Sequence, residues 1–250
     1  MTATLSRIGI PLGVLLGLLF AAAPAPAGLE VADAVAVAGR PVTLAVRTSA
    51  LFAAEGGKRV TLTIAGEAPV EILTGGDGFG YFRFQPEAPG RMEVAARAGK
   101  EEASGRLLVL APGEPLVVIE MESVLKTVLR PEESEACRSA LQRIEQGFGL
   151  AFVTRLFGRE IARRRIEQDG LTRAVALAWR GKATLQRLSE LGIPIAAVIG
   201  SGEVTAAARG TGAKRIGFEK ERGVERVSDW SQIPPLLEGG HPAGGAAAGR

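Results

Sequence analysis

The residue types able to do chemistry gather from residue 120 onward. Glu120 and Glu122 follow an apolar run in VVIEMESVL, Thr154 ends one in LAFVTRL, and Lys182 opens the stretch KATLQRLSELGIPI. Ser201, Glu203 and Thr205 follow another apolar run in VIGSGEVTAAA. Paired carboxylates beside a hydroxyl donor and a cation could hold an anion. The plainer alternative for Glu120 and Glu122 is two solvated carboxylates at a loop end. Other chemistries lack their residues. The chain has one histidine, His241, in a Gly/Ala-rich tail, and one cysteine, Cys137. A Ser-His-Asp triad, a Cys-His dyad and a zinc site built from His or Cys therefore cannot assemble within one chain. Neither can an internal disulfide. Cys137 falls on an expected helix, where a buried, inert thiol is the ordinary outcome.

Such side chains need a scaffold that brings strand ends together. The apolar run 116–119 (LVVI) fits a strand covered on both faces by helices. Ala136, Ala140, Leu141, Ile144 and Phe148 recur at helical spacing. Residues 150–153 (LAFV) predict a second buried strand, and 157–168 a second helix. Leu185, Leu188 and Leu191 form one stripe of a helix over 182–191. A third strand at 194–199, a short helix at 204–209, a strand at 215–218 and a helix near 230–237 complete the series. Alternating strands and helices imply a parallel sheet with right-handed crossovers. Such sheets place their chemistry at the carboxyl ends of the strands, which is where these residues fall.

Order and spacing in this segment resemble the haloacid-dehalogenase superfamily of phosphohydrolases. That family's first motif, an apolar strand ending in D-x-D-G, is matched by VVIEMESVL; its strand-ending Ser or Thr is matched by Thr154. Its lysine is matched by Lys182, and its fourth motif by VIGSGEVTAAARGTGAKRIGFE. The resemblance covers residues 115–238 and implies a three-layer α/β/α domain. It further implies Glu120 in the place of the aspartate nucleophile, Glu122 in that of the general acid and base, and Thr154 and Lys182 as phosphate holders. The intervals between Glu120, Thr154 and Lys182 leave no room for a cap domain. In this family that implies an open site accepting large substrates.

The departures weigh against turnover. A glutamate for the nucleophilic aspartate moves the attacking oxygen by more than an ångström, and a displacement of about 1 Å can cost roughly 100-fold. Ser123 replaces the glycine after the first motif. The acidic residues that help hold Mg²⁺ in the family align with the neutral Ser201 and Thr205, leaving Glu203 as a substitute ligand. The leading expectation is a non-catalytic pseudophosphatase that binds or scaffolds, with no cofactor. The alternative is a divergent Mg²⁺-dependent phosphatase acting on a large or lipid phosphate through Glu120, with Glu203 helping to hold the metal. A third reading gives the function to the β-rich module that comes first.

That module spans residues 28–112. Alternating runs at 41–48, 60–64, 70–73, 79–84, 92–96 and 106–110 are separated by turn residues, predicting about seven strands in an all-β sandwich. The stretch TGGDGFGYFRFQPEAPGRMEVAAR resembles bacterial immunoglobulin-like modules of envelope proteins. Asp77 and Glu55 are expected as solvated turn residues, with calcium binding the alternative. Residues 1–27 read as a signal peptide, with Arg7 before an apolar run and Ala25-Pro26-Ala27 as the small-x-small cleavage pattern. An uncleaved anchor is the competing reading, and membrane contact is expected through that segment alone. The expected location is the periplasm or cell envelope. Residues 239–250 cannot bury enough apolar surface to fold and are expected to be disordered. The net charge is +3, with no basic stripe interleaved with aromatics, so no nucleic-acid partner is expected. The partner is an unknown envelope protein or a phosphate-bearing ligand. Hydrophobic residues make up 46% of the 250, enough for two modest cores. The arginine-rich stretch 159–165 reads as a solvated helix face, or as a surface for an acidic partner or anionic membrane.

Overall fold

A computed structural model describes residues 28–50 and 53–239. The signal and anchor readings of residues 1–27, and the tail from residue 240 onward, lie outside the described residues. Of the helices described, none is long and apolar enough to cross a membrane.

The first unit is a two-sheet sandwich. Its strands are β1 (Gly28–Val31), β2 (Ala34–Val37), β3 (Val42–Ala50), β4 (Ala53–Ala54), β5 (Arg59–Ile64), β6 (Val70–Leu73), β7 (Phe79–Phe84), β8 (Gly90–Ala98) and β9 (Glu101–Leu110). One sheet pairs β3 with β1, β4 and β7; the other runs β2-β9-β8-β5-β6. The first segment serves both sheets, with β1 antiparallel to β3 and β2 parallel to β9. This partition of strands is that of an immunoglobulin-like sandwich. Val42, Leu44 and Val46 alternate inward from β3 to meet Val60, Leu62 and Ile64 of β5 in one core, as their period of two predicts. The sequence undercounted the strands because β1, β2 and β4 are too short to show a period.

The second unit follows in β10 (Leu116–Glu120), α1 (Met121–Leu125), α2 (Pro131–Glu145), β11 (Gly149–Thr154), α3 (Arg159–Gln168), β12 (Ala174–Ala178), α4 (Lys182–Glu190), β13 (Ile195–Ile199), α5 (Gly202–Ala207), β14 (Lys214–Gly217), β15 (Glu225–Arg226) and α6 (Ile233–Glu238). The sheet is parallel throughout, in the order β12-β11-β10-β13-β14-β15. Along β10, Val117 and Ile119 enter a cluster with α2, α3 and α6, while Leu116 and Val118 enter another with α4 and α5. Burial on both faces explains the continuous apolar run. Pro131 at the start of α2, two glutamates in its first turn and Arg143 in its last suit that helix's ends and dipole. The sequence reading passed over β12, the edge strand, and the short β15.

Two expectations are corrected here. Apolar residues assigned to two separate cores form three clusters, and the middle one is shared. Val35 and Val37 of β2 and Leu108 and Leu110 of β9 pack with Leu116, Leu185 and Leu188 of the second unit. Leu107 and Val109 face the sandwich core instead, so the C-terminal half of β9 is buried on both sides. At this seam a Cβ on Gly149 would come within 2.5 Å of Leu110 Cδ2, so a larger residue there would force the packed leucines to shift.

The arginine-rich helix α3 is likewise only in part a solvated face: Arg164 is exposed, but the other three arginines are engaged. Arg159 pairs with Glu30, Arg163 with Asp33, and Arg165 with Asp169 at 2.7 Å. Positions 159 and 163 lie one turn apart and both reach the sandwich. Asp33, in the link between β1 and β2, accepts from the Arg106 N–H at 2.9 Å, from Arg163 Nε at 3.0 Å and from the Ala176 N–H at 2.9 Å. The two units are joined by a core and by charge.

Candidate functional site

The order of the parallel sheet reverses between β10 and β13, and in open α/β sheets the crevice beyond such a reversal is where ligands bind. Glu120 is the last residue of β10, and the chain turns directly into α1 after it. Ser201 precedes α5 just beyond β13. Gly200 lets these two ends approach: a Cβ there would lie 2.7 Å from Glu120 Cβ.

Neither glutamate is solvated; Glu120 is 2% and Glu122 8% exposed. Both oxygens of Glu120 are engaged. Oε2 accepts from the Ser201 N–H at 2.6 Å and from Ser123 Oγ at 3.0 Å. Oε1 accepts from Ser201 Oγ at 2.8 Å and from Arg155 Nη1 at 3.3 Å. The same guanidinium pairs with Glu203 through Nη2. Arg155 therefore sits among Glu120, Ser201 and Glu203.

Glu122 has a separate cradle. Its Oε1 accepts from the backbone N–H groups of Arg155 and Leu156, each at 2.8 Å, and lies 3.0 Å from the Thr154 hydroxyl. Burial pushes this carboxyl up, but the Leu156, Glu122 and Arg155 N–H groups and the Thr154 hydroxyl outweigh it and hold it below the ordinary value of 4.5. Its other oxygen, Oε2, is buried without a partner. The Thr154 hydroxyl also meets the Phe157 carbonyl and so is turned into the turn after β11.

The structure thus brings together Glu120, Glu122, Thr154, Ser201 and Glu203. Thr205 turns aside, with its hydroxyl 3.1 Å from Glu221 Oε2. Lys182 is exposed at the start of α4, and no hydrogen bond or ion pair among the described residues joins it to this network. Sequence reasoning sought the cation one helix ahead of the last motif and missed Arg155. The signal was present: a guanidinium directly after the residue that ends β11.

Mg²⁺, implied by the family resemblance, requires near-octahedral oxygen ligands. The donor set does not fit it. Both Glu120 oxygens are committed, Ser201 and Thr205 are neutral, and a guanidinium already lies between Glu120 and Glu203. Among the described residues no group of three or more His, Cys, Asp or Glu side chains is arranged to hold a metal. In the sandwich, Asp77 Oδ1 accepts from the Phe79 N–H at 3.0 Å and Glu55 pairs with Lys58 at 2.8 Å, the local bonds of turn residues.

No family model matches the chain, and no curated protein does. Among solved structures, the D00-D0 domain of intimin is 16% identical, with a TM-score of 0.27, over 33% of this chain and 45% of that one. An IG27 protein domain is 18% identical, with a TM-score of 0.27, over 35% of this chain and 98% of that one. Domains 4 and 5 of the S-layer protein SbsC are 13% identical, with a TM-score of 0.25, over 35% of this chain and 54% of that one. The chain spans less than half of the intimin fragment, and at such low TM-scores the strand pairing itself defines the fold. That pairing gives an immunoglobulin-like sandwich fused through a shared core to a doubly wound parallel sheet.

Proposed function

We propose that this chain is an exported, non-catalytic binding or scaffolding protein whose α/β unit is a haloacid-dehalogenase-type framework that no longer turns over phosphate esters. One observation carries the reading: the Arg155 guanidinium stands among Glu120, Ser201 and Glu203. A nucleophilic carboxylate needs a free oxygen, and a transferring phosphoryl group needs cationic help aimed at it. Here the carboxylate is saturated by internal donors and the cation is spent on the protein's own acids. The descent is supported by the meeting of Glu120, Glu122, Thr154 and Ser201 at the sheet's reversal, in the order in which the family's motifs occur. Export is supported by the signal-like sequence of residues 1–27.

The test is hydrolysis of p-nitrophenyl phosphate by purified protein with Mg²⁺, for the wild type and Glu120→Gln. The expected result is a rate at background that the substitution leaves unchanged. Turnover that Glu120→Gln abolishes would overturn the proposal and favour the phosphatase alternative.

A further inference from the structure

The crevice at the sheet reversal is not the molecule's only concave surface. A cleft of about 640 Å³ separates the outward face of β1, β3 and β7 from α4 and the end of β12. Strand alternation that sends Val42, Leu44 and Val46 inward sends Thr43, Ala45 and Arg47 out. Across the ladder Arg47 stands opposite Phe79, and Ala45 opposite Tyr81. The Phe79 and Tyr81 rings are stacked, with centroids 6.1 Å apart and planes 9° apart. The Arg47 guanidinium lies 5.5 Å from the Phe79 centroid. Tyr81 is 60% exposed, so the sandwich core does not account for it.

The facing wall brings Arg180 and Arg187, both exposed. The cleft's two carboxylates, Glu30 and Asp33, are taken by Arg159 and Arg163. Arg47, Arg180 and Arg187 form no ion pair with a carboxylate among the described residues. A cleft with one sign of unpaired charge on both walls focuses its potential outward and concentrates anions. Guanidinium is also the group best shaped for bidentate grip on a carboxylate.

We propose that this cleft binds an acidic saccharide, with the C–H face of a sugar ring on Tyr81 and uronate carboxylates held by Arg47, Arg180 and Arg187. Aromatic stacking and charge are both needed, and a uronate-bearing chain supplies both on one flexible, narrow strand. An anionic membrane is disfavoured by shape, since the arginines line two walls of a concavity that a flat surface cannot reach together. The preference for a saccharide over other ring-bearing anions rests on the exported reading above; the cleft itself owes nothing to Glu120.

Titration calorimetry of the purified protein with a short oligogalacturonate tests this, with a neutral gluco-oligosaccharide of matched length and phosphatidylglycerol vesicles as comparisons. Binding of the acidic oligosaccharide is expected, weakening as salt rises, with the neutral one bound at least about tenfold more weakly. Tyr81→Ala and Arg187→Ala should each cost at least about tenfold in affinity. Both side chains are exposed, so wild-type circular dichroism is expected for both variants, and Tyr81→Phe should retain binding. No binding of oligogalacturonate, affinity unchanged in both variants, or equal affinity for the neutral oligosaccharide would each overturn the proposal. Vesicle binding that requires Tyr81 and Arg187 while the oligosaccharide fails would overturn it in favour of a membrane. Glu120 does not line this cleft. A positive phosphatase assay would thus sink the earlier reading alone, and a failed titration this one alone.

Discussion

Replacing Asp33 with alanine should destabilise both units at once. Its side chain is fully buried, and Arg163, its ion-pair partner, is only 11% exposed. The substitution strips the acceptor from two backbone N–H groups, Arg106 and Ala176. Each orphaned buried donor costs about 1–3 kcal/mol. Arg163 keeps Glu160 at 2.8 Å and the Val31 carbonyl at 2.7 Å, so its charge is not wholly abandoned. The two donors together cost about 2–6 kcal/mol, and because the contacts that Arg163 keeps limit the added cost of the broken pair, the total is set near the middle of that range, about 4 kcal/mol. At about 2–4 °C per kcal/mol for a domain of this size, the melting temperature should fall by about 8–16 °C. Asp33→Asn, which keeps the shape and an acceptor oxygen, should lose roughly half as much. Thermal unfolding followed by circular dichroism and by tryptophan fluorescence provides the assay. Both tryptophans, Trp179 and Trp230, lie in the second unit, whereas circular dichroism reports both sheets. Coincident single transitions are expected in the wild type because the units share a core. A loss under about 1 kcal/mol in Asp33→Ala, or wild-type transitions that separate by probe, would refute the reasoning.

Glu122, held below the ordinary glutamate value of 4.5, adds stability that is present above that pH and lost as pH falls through its folded-state value. Urea midpoints from neutral to acid pH should therefore show wild type and Glu122→Gln converging below pH 4.5; a constant gap would count against the cradle around it. Burial pushes the Cys137 thiol up to about 12, against a smaller opposing pull from Arg165. At pH 8 only about one thiol in ten thousand would then be thiolate. A disulfide reagent should label Cys137 only in denaturant, and stoichiometric labelling of the native chain within minutes would contradict its burial.

Much of this architecture was legible in the chain. The period of two in PVTLAVRT and VTLTI, the run LVVI and the helical stripe of Leu185 and Leu188 depend on neighbours close in sequence. Local patterning reports which face of an element is apolar, and that is enough to predict sandwich strands and buried parallel strands. The same logic located Glu120, Glu122, Thr154 and Ser201, because the ends of parallel strands converge on one edge whatever the loops do. It failed for β12, whose AVALA run was overlooked between two helices. It failed too for Arg159 and Arg163, whose helical pattern reads as a water-facing stripe.

The sequence by itself determined the classes of the two units, the edge of the sheet where acids and hydroxyls collect, and the lack of residues for a zinc site of histidines and cysteines or an internal disulfide within one chain. Only the tertiary structure decided what those acids do. Whether Glu120 is free or saturated depends on Arg155 and Ser201 arriving from other strands. Whether α3 faces water depends on Glu30 and Asp33 arriving from the sandwich. A charged side chain carries no mark of its partner in the chain, because an ion pair is selected by geometry across long loops and by the low dielectric that burial creates.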